Sequence, residues 1–231
     1  MLGIFIILLL FALASAKFAA DRFHAAIKTG SKVGIPGAMT AAEAVREFLD
    51  ENDANDVKIM EHNALVSDYY DAKRRCLFLN HSTMMGTDAA SWSLALHEAA
   101  HALQTGESAK LFLWRQGNIR LTRYAPTLIA MVCLALSFLK RLPFRSALMI
   151  CSVLFALIMV VNLLSTPIER NASARVMSWL DRRLEKYPAL LDTFATVLSG
   201  VAWRDTAVFL KSPSHFFYGF MPMGGKLRPK K

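Results

Sequence analysis

Cysteine is scarce in this 231-residue chain, which has three. Cys133 and Cys151 lie inside apolar runs, Cys76 stands in a more polar stretch, and no two have the spacing of a metal site. That argues against a disulfide-stapled scaffold and against a thiolate-ligated metal, and leaves the thiols as small apolar fillers. Charge is thin as well. Asp, Glu, Lys and Arg make up 19% of the chain against 54% apolar residues, a balance that suits apolar segments facing lipid better than one soluble fold. The formal net charge of +9 is not gathered into a basic stripe interleaved with aromatics, so a nucleic-acid partner is not expected. Internal repeats and low-complexity segments are also missing.

The basic residues instead flank apolar runs. Lys17 and Arg22 follow the first run, Arg115, Arg120 and Arg123 precede the second, Lys140, Arg141 and Arg145 separate the second from the third, and Arg170 and Arg175 follow the third. This is the placement of membrane anchors, whose basic heads reach the headgroups. Leu2 to Ala20 reads as one anchor with Lys17 snorkelling. Ala14-Ser15-Ala16 has the look of a signal-peptidase site, but only the terminal amine precedes the apolar stretch as a positive charge, so the anchor is preferred. The runs Tyr124 to Leu139 and Ser146 to Ile168, joined by a short link containing Pro143, form a hairpin that returns to its starting side. The side carrying residues 17 to 123 and 170 to 186 has more Lys and Arg near membrane ends than the hairpin link, which favours a cytoplasmic position for that side and for any active site on it.

Between the anchor and the hairpin, Thr40-Ala41-Ala42-Glu43 is a capping box, and it predicts a helix from about 41 to 52. Asp56 to Glu61 and Arg75 to Asn80 read as strands, with a third ending near Tyr70 ahead of the turn Asp71-Ala72-Lys73-Arg74. Asn171 to Leu184 should be helical, with amphipathic helix continuing toward Leu210 and a basic tail ending Lys226 to Lys231.

The most informative stretch is Leu96-His97-Glu98-Ala99-Ala100-His101-Ala102-Leu103-Gln104, an H-E-x-x-H inside a segment from Thr87 to Thr105 that is free of Pro and Gly. Positions i and i+4 of a helix lie about 40° apart, one turn along its axis. His97 and His101 can therefore present imidazoles to one tetrahedral Zn2+. Glu98 stands close enough to take a proton from a water on that metal and hand it to a leaving amine. A third ligand is still required. Asp181, Glu185, Asp192 and His215 carry no feature that selects them. Glu169 follows Pro167 at the membrane border, where an acid is costly unless paired or metal-bound, so an ion pair with Arg170 or Arg175 and metal ligation both satisfy it.

In order, Thr40-Ala41-Ala42-Glu43, Asp68-Tyr69-Tyr70-Asp71, the H-E-x-x-H segment and Thr166-Pro167-Ile168-Glu169-Arg170-Asn171-Ala172-Ser173 resemble the YugP-type zinc metallopeptidases of membranes, over roughly residues 15 to 185. The resemblance implies that Glu169 is the third zinc ligand. Arg170 departs from the aromatic expected after that Glu, Tyr69 stands where the family often has His, and the end of the chain from Ser199 looks shorter and more basic. The heat-shock and prenyl-protein membrane proteases also carry H-E-x-x-H before a distant Glu, but there an Asp follows that Glu by four residues, where this chain has Ser173.

The expected architecture is a mostly helical α+β, zincin-like domain with an N-terminal membrane anchor and an inserted transmembrane hairpin. It divides as 1–20 anchor, 21–123 zincin-like domain, 124–168 hairpin, 169–210 helical region with Glu169, and 211–231 basic tail. The expected activity is Zn2+-dependent hydrolysis of peptide bonds in a membrane-associated protein or peptide. Its rivals are a non-catalytic membrane scaffold and a zinc amide hydrolase acting on a lipid-like substrate. Tyr69 or Tyr70 as an oxyanion donor, Asn171 and Ser173 as supports for the third ligand, and strand addition of a peptide to Cys76–Asn80 are further expectations, each with a plain packing or capping alternative.

Overall fold

The computed structural model describes residues 2–62 and 67–219, with backbone only at 120, 218 and 219. The basic end at 226–231 lies outside the described residues. In chain order the elements are α1 (Leu2–Gly30), α2 (Ala41–Asp50), β1 (Lys58–His62), β2 (Tyr69–Asp71), β3 (Cys76–Asn80), α3 (His81–Met84), α4 (Ala89–Ala100), α5 (Gly106–Phe138), α6 (Phe144–Leu164), α7 (Thr166–Arg183), α8 (Pro188–Val201), α9 (Arg204–Ala207) and α10 (Ser212–Gly219). Short 3-10 turns follow α4 at His101–Leu103 and α9 at Val208–Lys211. The chain divides into two compact units.

One unit comprises Arg22–Leu113 and Pro167–Ala202. Thr40 caps α2 as the sequence predicts: its hydroxyl accepts from the Glu43 amide at 3.3 Å, and the Glu43 carboxylate accepts from the Thr40 amide at 2.8 Å. Helix α4 starts at Asp88, whose carboxylate accepts from the amides of Ala90 and Ser91 at 3.0 Å each. The core joins Phe48 and Leu49 of α2, Leu77 and Leu79 of β3, Trp92 and Leu96 of α4, Val176 and Leu180 of α7, and Phe194 and Leu198 of α8. Each such side chain, fully buried, contributes about 1.5–3 kcal/mol. The strand order is β1-β3-β2, with β1 parallel and β2 antiparallel to β3. Cys76–Asn80 is thus the central strand, hydrogen-bonded on both sides, and it is not open to strand addition.

The other unit runs through Asp21, over Trp114–Thr166, and onward from Trp203. Its small core packs Ala12 and Ala16 of α1 with Ala125 of α5, Ile158 and Met159 of α6, and Phe209; alanines let helices approach closely where lipid supplies no hydrophobic drive. Three stretches, Leu2–Gly30, Gly106–Phe138 and Phe144–Arg183, are long and apolar enough to cross a membrane.

Helix ends differ from the sequence reading in three places. Helix α1 continues past the expected end of the anchor at Ala20 to Gly30, and Lys17 bonds Asp21 one turn on at 2.6–2.7 Å. Helix α5 begins at Gly106, well before Tyr124, because no strong breaker intervenes, and it passes through Pro126. The Thr127 amide, next to the donor that Pro126 lacks, is taken up by the Ser212 hydroxyl at 3.2 Å. Helix α7 begins at Thr166 rather than Asn171, which sets Glu169 in its first turn.

Two glycines mark where helices of the first unit meet. A Cβ on Gly200 of α8 would lie 2.2 Å from the Ala26 Cβ of α1, and one on Gly30 would lie 2.9 Å from the Ala90 amide nitrogen. Gly200→Ala should lower stability by about 1–3 kcal/mol through overpacking, read as a lower melting temperature in detergent. Adding Ala26→Gly should recover part of the loss; an unchanged melting temperature in the single variant would mean that α1 and α8 are not packed at this contact.

Candidate active site

Helix α4 carries His97 and Glu98, and the 3-10 turn that follows carries His101. The helix therefore tightens at the second histidine instead of running on to Thr105, yet the two rings stay together, 5.1 Å apart and nearly perpendicular at 86°. Glu169 arrives from the first turn of α7. All four side chains belong to the core, with exposures of 0% for His97, 3% for Glu98, 4% for His101 and 1% for Glu169. Of the acids weighed in the sequence, Glu169, Asp181, Glu185 and Asp192, Glu169 is the one that reaches the histidines among the described residues. His215 falls in the other unit.

One oxygen of Glu169, Oε2, lies 2.9 Å from His97 Nε2 and 3.6 Å from His101 Nε2. The far nitrogens are engaged too. His97 Nδ1 lies 3.1 Å from the Ser173 hydroxyl, which itself donates to the Leu198 carbonyl at 3.1 Å. With its proton spent there, Ser173 accepts, so His97 Nδ1 is the donor. His101 Nδ1 lies 3.1 Å from Gln104 Oε1, and the Gln104 amide nitrogen donates to the Ile168 carbonyl at 2.9 Å. That carbonyl fixes the Gln104 orientation and makes His101 Nδ1 a donor as well. Both Nε2 atoms are then left with lone pairs aimed at a carboxylate.

Burial pushes the His97 pKa down, against the hydrogen bond and charge of Glu169, which push it up. Two neutral imidazole lone pairs and a buried carboxylate repel unless a cation sits among them. The donor set of two imidazoles and a carboxylate oxygen fits zinc.

Glu98 faces the same place. Its carboxylate falls in a cluster with His97 and His101 whose ligand atoms lie within 4.8 Å of one another. One of its oxygens accepts from the Tyr70 amide of β2 at 3.2 Å. Tyr70 gives the site this backbone donor, while its own hydroxyl accepts from Arg75 at 3.2 Å. Tyr69 is 37% exposed and its ring is stacked on Phe78 at 4.9 Å. Asn171 meets Gln104 at 3.4 Å and Arg175 at 3.3 Å. Two neighbours had no role in the sequence reading. Gln104 sits within the quoted motif, with its spacing of three from His101 as the available signal. Phe112, whose ring stacks on His101 at 4.4 Å and 16°, gives none.

A protein family described as “Putative neutral zinc metallopeptidase” matches residues 4–221. The chain belongs to this family. The zinc metallopeptidase family thus covers both units and implies zinc as the metal. The chain is also similar to a curated relative, “Putative membrane protease YugP” of Bacillus subtilis (strain 168), at 28% identity over 172 residues, covering 74% of this chain and 75% of the relative. No solved structure matches the chain.

The Gln104 bridge can be weighed without metal. Gln104→Leu deprives His101 Nδ1 of an acceptor and the Ile168 carbonyl of a donor, and in chelator it should cost about 2 kcal/mol. Asn171→Ala, which loses only the longer contacts, should stay within about 0.5 kcal/mol of wild type. Thermal unfolding of the two variants side by side measures the difference; equal melting temperatures would remove Gln104 from the network.

Proposed function

We propose that this chain is a membrane-anchored zinc metallopeptidase that hydrolyses peptide bonds, with zinc held by His97, His101 and Glu169 and with Glu98 as general base. The observation that carries this reading is the buried convergence of His97 Nε2, His101 Nε2 and Glu169 Oε2, with both Nδ1 atoms already committed to Ser173 and Gln104. Zinc held by these three residues would supply Lewis acidity for the scissile carbonyl and for the attacking water. Glu169 is preferred to Glu98 as ligand because one of its oxygens stands near both Nε2 atoms, whereas an oxygen of Glu98 is held by the Tyr70 amide.

The chain's own groups then divide the work. Ser173 and Gln104 hold the imidazoles in the tautomer that leaves Nε2 free of a proton. The Tyr70 amide orients the Glu98 carboxylate, which takes the proton of the attacking water and delivers it to the leaving amine. Phe112, stacked on His101, keeps that side of the site dry. A helix-borne H-E-x-x-H beside a small sheet, with an acidic ligand from a later helix, supports a zincin-like arrangement. Three apolar stretches of spanning length support membrane anchoring, so the substrate would be a protein or peptide segment at the bilayer surface. The Lys and Arg bias supports a cytoplasmic site.

Elemental analysis and peptide cleavage on the detergent-purified chain test these roles together. Wild type should carry about one zinc, His97→Ala should carry none, and Glu169→Ala should hold it less tightly. Glu98→Gln should keep the zinc while kcat falls about 10²–10⁴-fold. A folded wild type without zinc would overturn the metallopeptidase reading. Cleavage undiminished in Glu98→Gln would remove Glu98 as the base, and zinc binding with no peptide cleavage would shift the substrate to another amide.

A further inference from the structure

Arg75 ends the turn between β2 and β3, outside the set of residues to which the proposed chemistry gives work. Its backbone stands at φ 50°, in the left-handed region that a residue with a Cβ adopts at a cost. Among the described residues the non-glycine positions with positive φ are Ala38, Asp53, Arg75 and Lys140. Arg75 is the one of these whose side chain joins other elements. A strained backbone kept beneath a long side chain directs attention to what that side chain does.

The guanidinium works in two directions. Asp56 takes one edge of it, accepting from Nε at 2.7 Å and from Nη2 at 2.6 Å. The side chains of this pair are 41% and 60% exposed, and an ion pair so open to water adds little stability. Its fork geometry does something else, fixing the plane of the group and turning Nη1 inward. There Nη1 donates to the Tyr70 hydroxyl at 3.2 Å and stands 3.4 Å from the Ala102 carbonyl, which belongs to the 3-10 turn carrying His101. These contacts close a circuit beside the site. It runs from Arg75 to the Tyr70 ring, on to Phe112 and the His101 ring, and along the chain to Ala102 and back. Tyr70 also gives its amide to the Glu98 carboxylate. The arginine bridge therefore sets how far β2, and the carboxylate it holds, stands from the His101 turn.

We infer that Arg75, aligned by Asp56, is a positioning residue that holds β2 against the His101 turn and thereby keeps the Glu98 carboxylate in place for proton transfer. The inference rests on the reading of Glu98 as general base. A surface ion pair that only stabilised the turn would predict that activity follows stability. Glycine at position 75 separates the two roles, because it removes the side chain and relieves the left-handed backbone at once.

Two measurements on the full chain in detergent test this. With chelator present, hydrogen exchange at the Tyr70 amide should quicken about tenfold in Arg75→Gly while amides within α4 keep their wild-type protection. Glu98→Ala, which removes the acceptor, marks the exchange expected of a lost bond. With zinc present, kcat for fluorescein-labelled casein should fall about 10–10²-fold in Arg75→Gly, with KM, zinc content and melting temperature close to wild type. Arg75→Lys keeps a cation for Asp56 but lacks the fork, so it should recover little of kcat. Asp56→Asn should lower kcat less than Arg75→Gly does. Wild-type exchange at Tyr70 in Arg75→Gly, or a kcat that falls only in step with melting temperature or zinc content, would overturn the inference. A wild type that binds no zinc or leaves casein intact counts against the peptidase reading instead, and the exchange measurement then decides by itself whether Arg75 positions Glu98.

Discussion

A carboxylate enclosed in the protein interior, Glu169 at 1% exposure against two imidazole nitrogens, is the constraint on which the surrounding structure depends. Even after relaxation, burying an ionised group costs several kcal/mol. Part of that cost is offset by position. Glu169 lies in the first turn of α7, where the helix presents its positive end. The remainder calls for a cation, because the hydrogen bonds to Ser173 and Gln104 commit both histidines to donating from Nδ1. The carboxylate, the two rings and their supports therefore make sense as one electrostatic assembly and not as four separate residues.

The packing around it serves closeness. Ser173 is a short side chain, yet it must touch His97 on α4 and the Leu198 carbonyl on α8 at once. That is possible because the helices meet through small residues: Ala95, Ala99 and Ala100 on α4 and Ala172 on α7 are all fully buried, and Gly30 and Gly200 leave no room for a Cβ. Larger side chains at these points would push the helices apart and lengthen every bond in the assembly. The bulky residues Trp92 of α4 and Phe194 of α8 instead fill space farther along the same helices, where Phe48 of α2 joins the core. Rigidity comes from them, and proximity comes from the alanines and glycines.

Local signals were the legible part of the sequence. The Thr40 capping box, the strand at Arg75 to Asn80 and the pairing of His97 with His101 all depend on residues a few positions apart, and the structure contains each. Helix ends were less legible, because the apolar runs marked where lipid-like composition begins and not where hydrogen bonding does: α5 starts at Gly106 and α7 at Thr166. The central position of β3 depends on which strands flank it, and strand composition does not encode that. The nearness of Glu169 to His97 spans 72 residues of sequence. The juxtamembrane position of Glu169 singled it out, and family resemblance favoured it, but the opposing ion pair with Arg170 or Arg175 was equally consistent with the pattern. Phe112 shows the limit, since a phenylalanine within a helix carries no mark of the ring it will stack on.

Both carboxylates of the site are carried by helices, Glu98 by α4 beside His97 and Glu169 by α7, but their oxygens have different partners, and that difference is what can separate their roles. Glu169 sits on a helix terminus and turns an oxygen to both imidazoles. Glu98 is tied to a sheet edge. Among the described residues strand β2 is paired to β3 on one side only, and the Tyr70 amide is taken by the Glu98 carboxylate. That bond occupies a donor of an edge strand, which would otherwise invite pairing with another chain, and it also fixes the rotation of the proposed base. The strand is itself held firmly, for the Tyr70 ring stacks on Phe112 and its hydroxyl accepts from Arg75, whose guanidinium also bonds Asp56. The proposed base shares α4 with His97, and the Tyr70 amide of β2 adds a contact to its carboxylate that the proposed ligands lack. A change at β2 would reach the Glu98 carboxylate through the Tyr70 amide before it reached His97, His101 or Glu169.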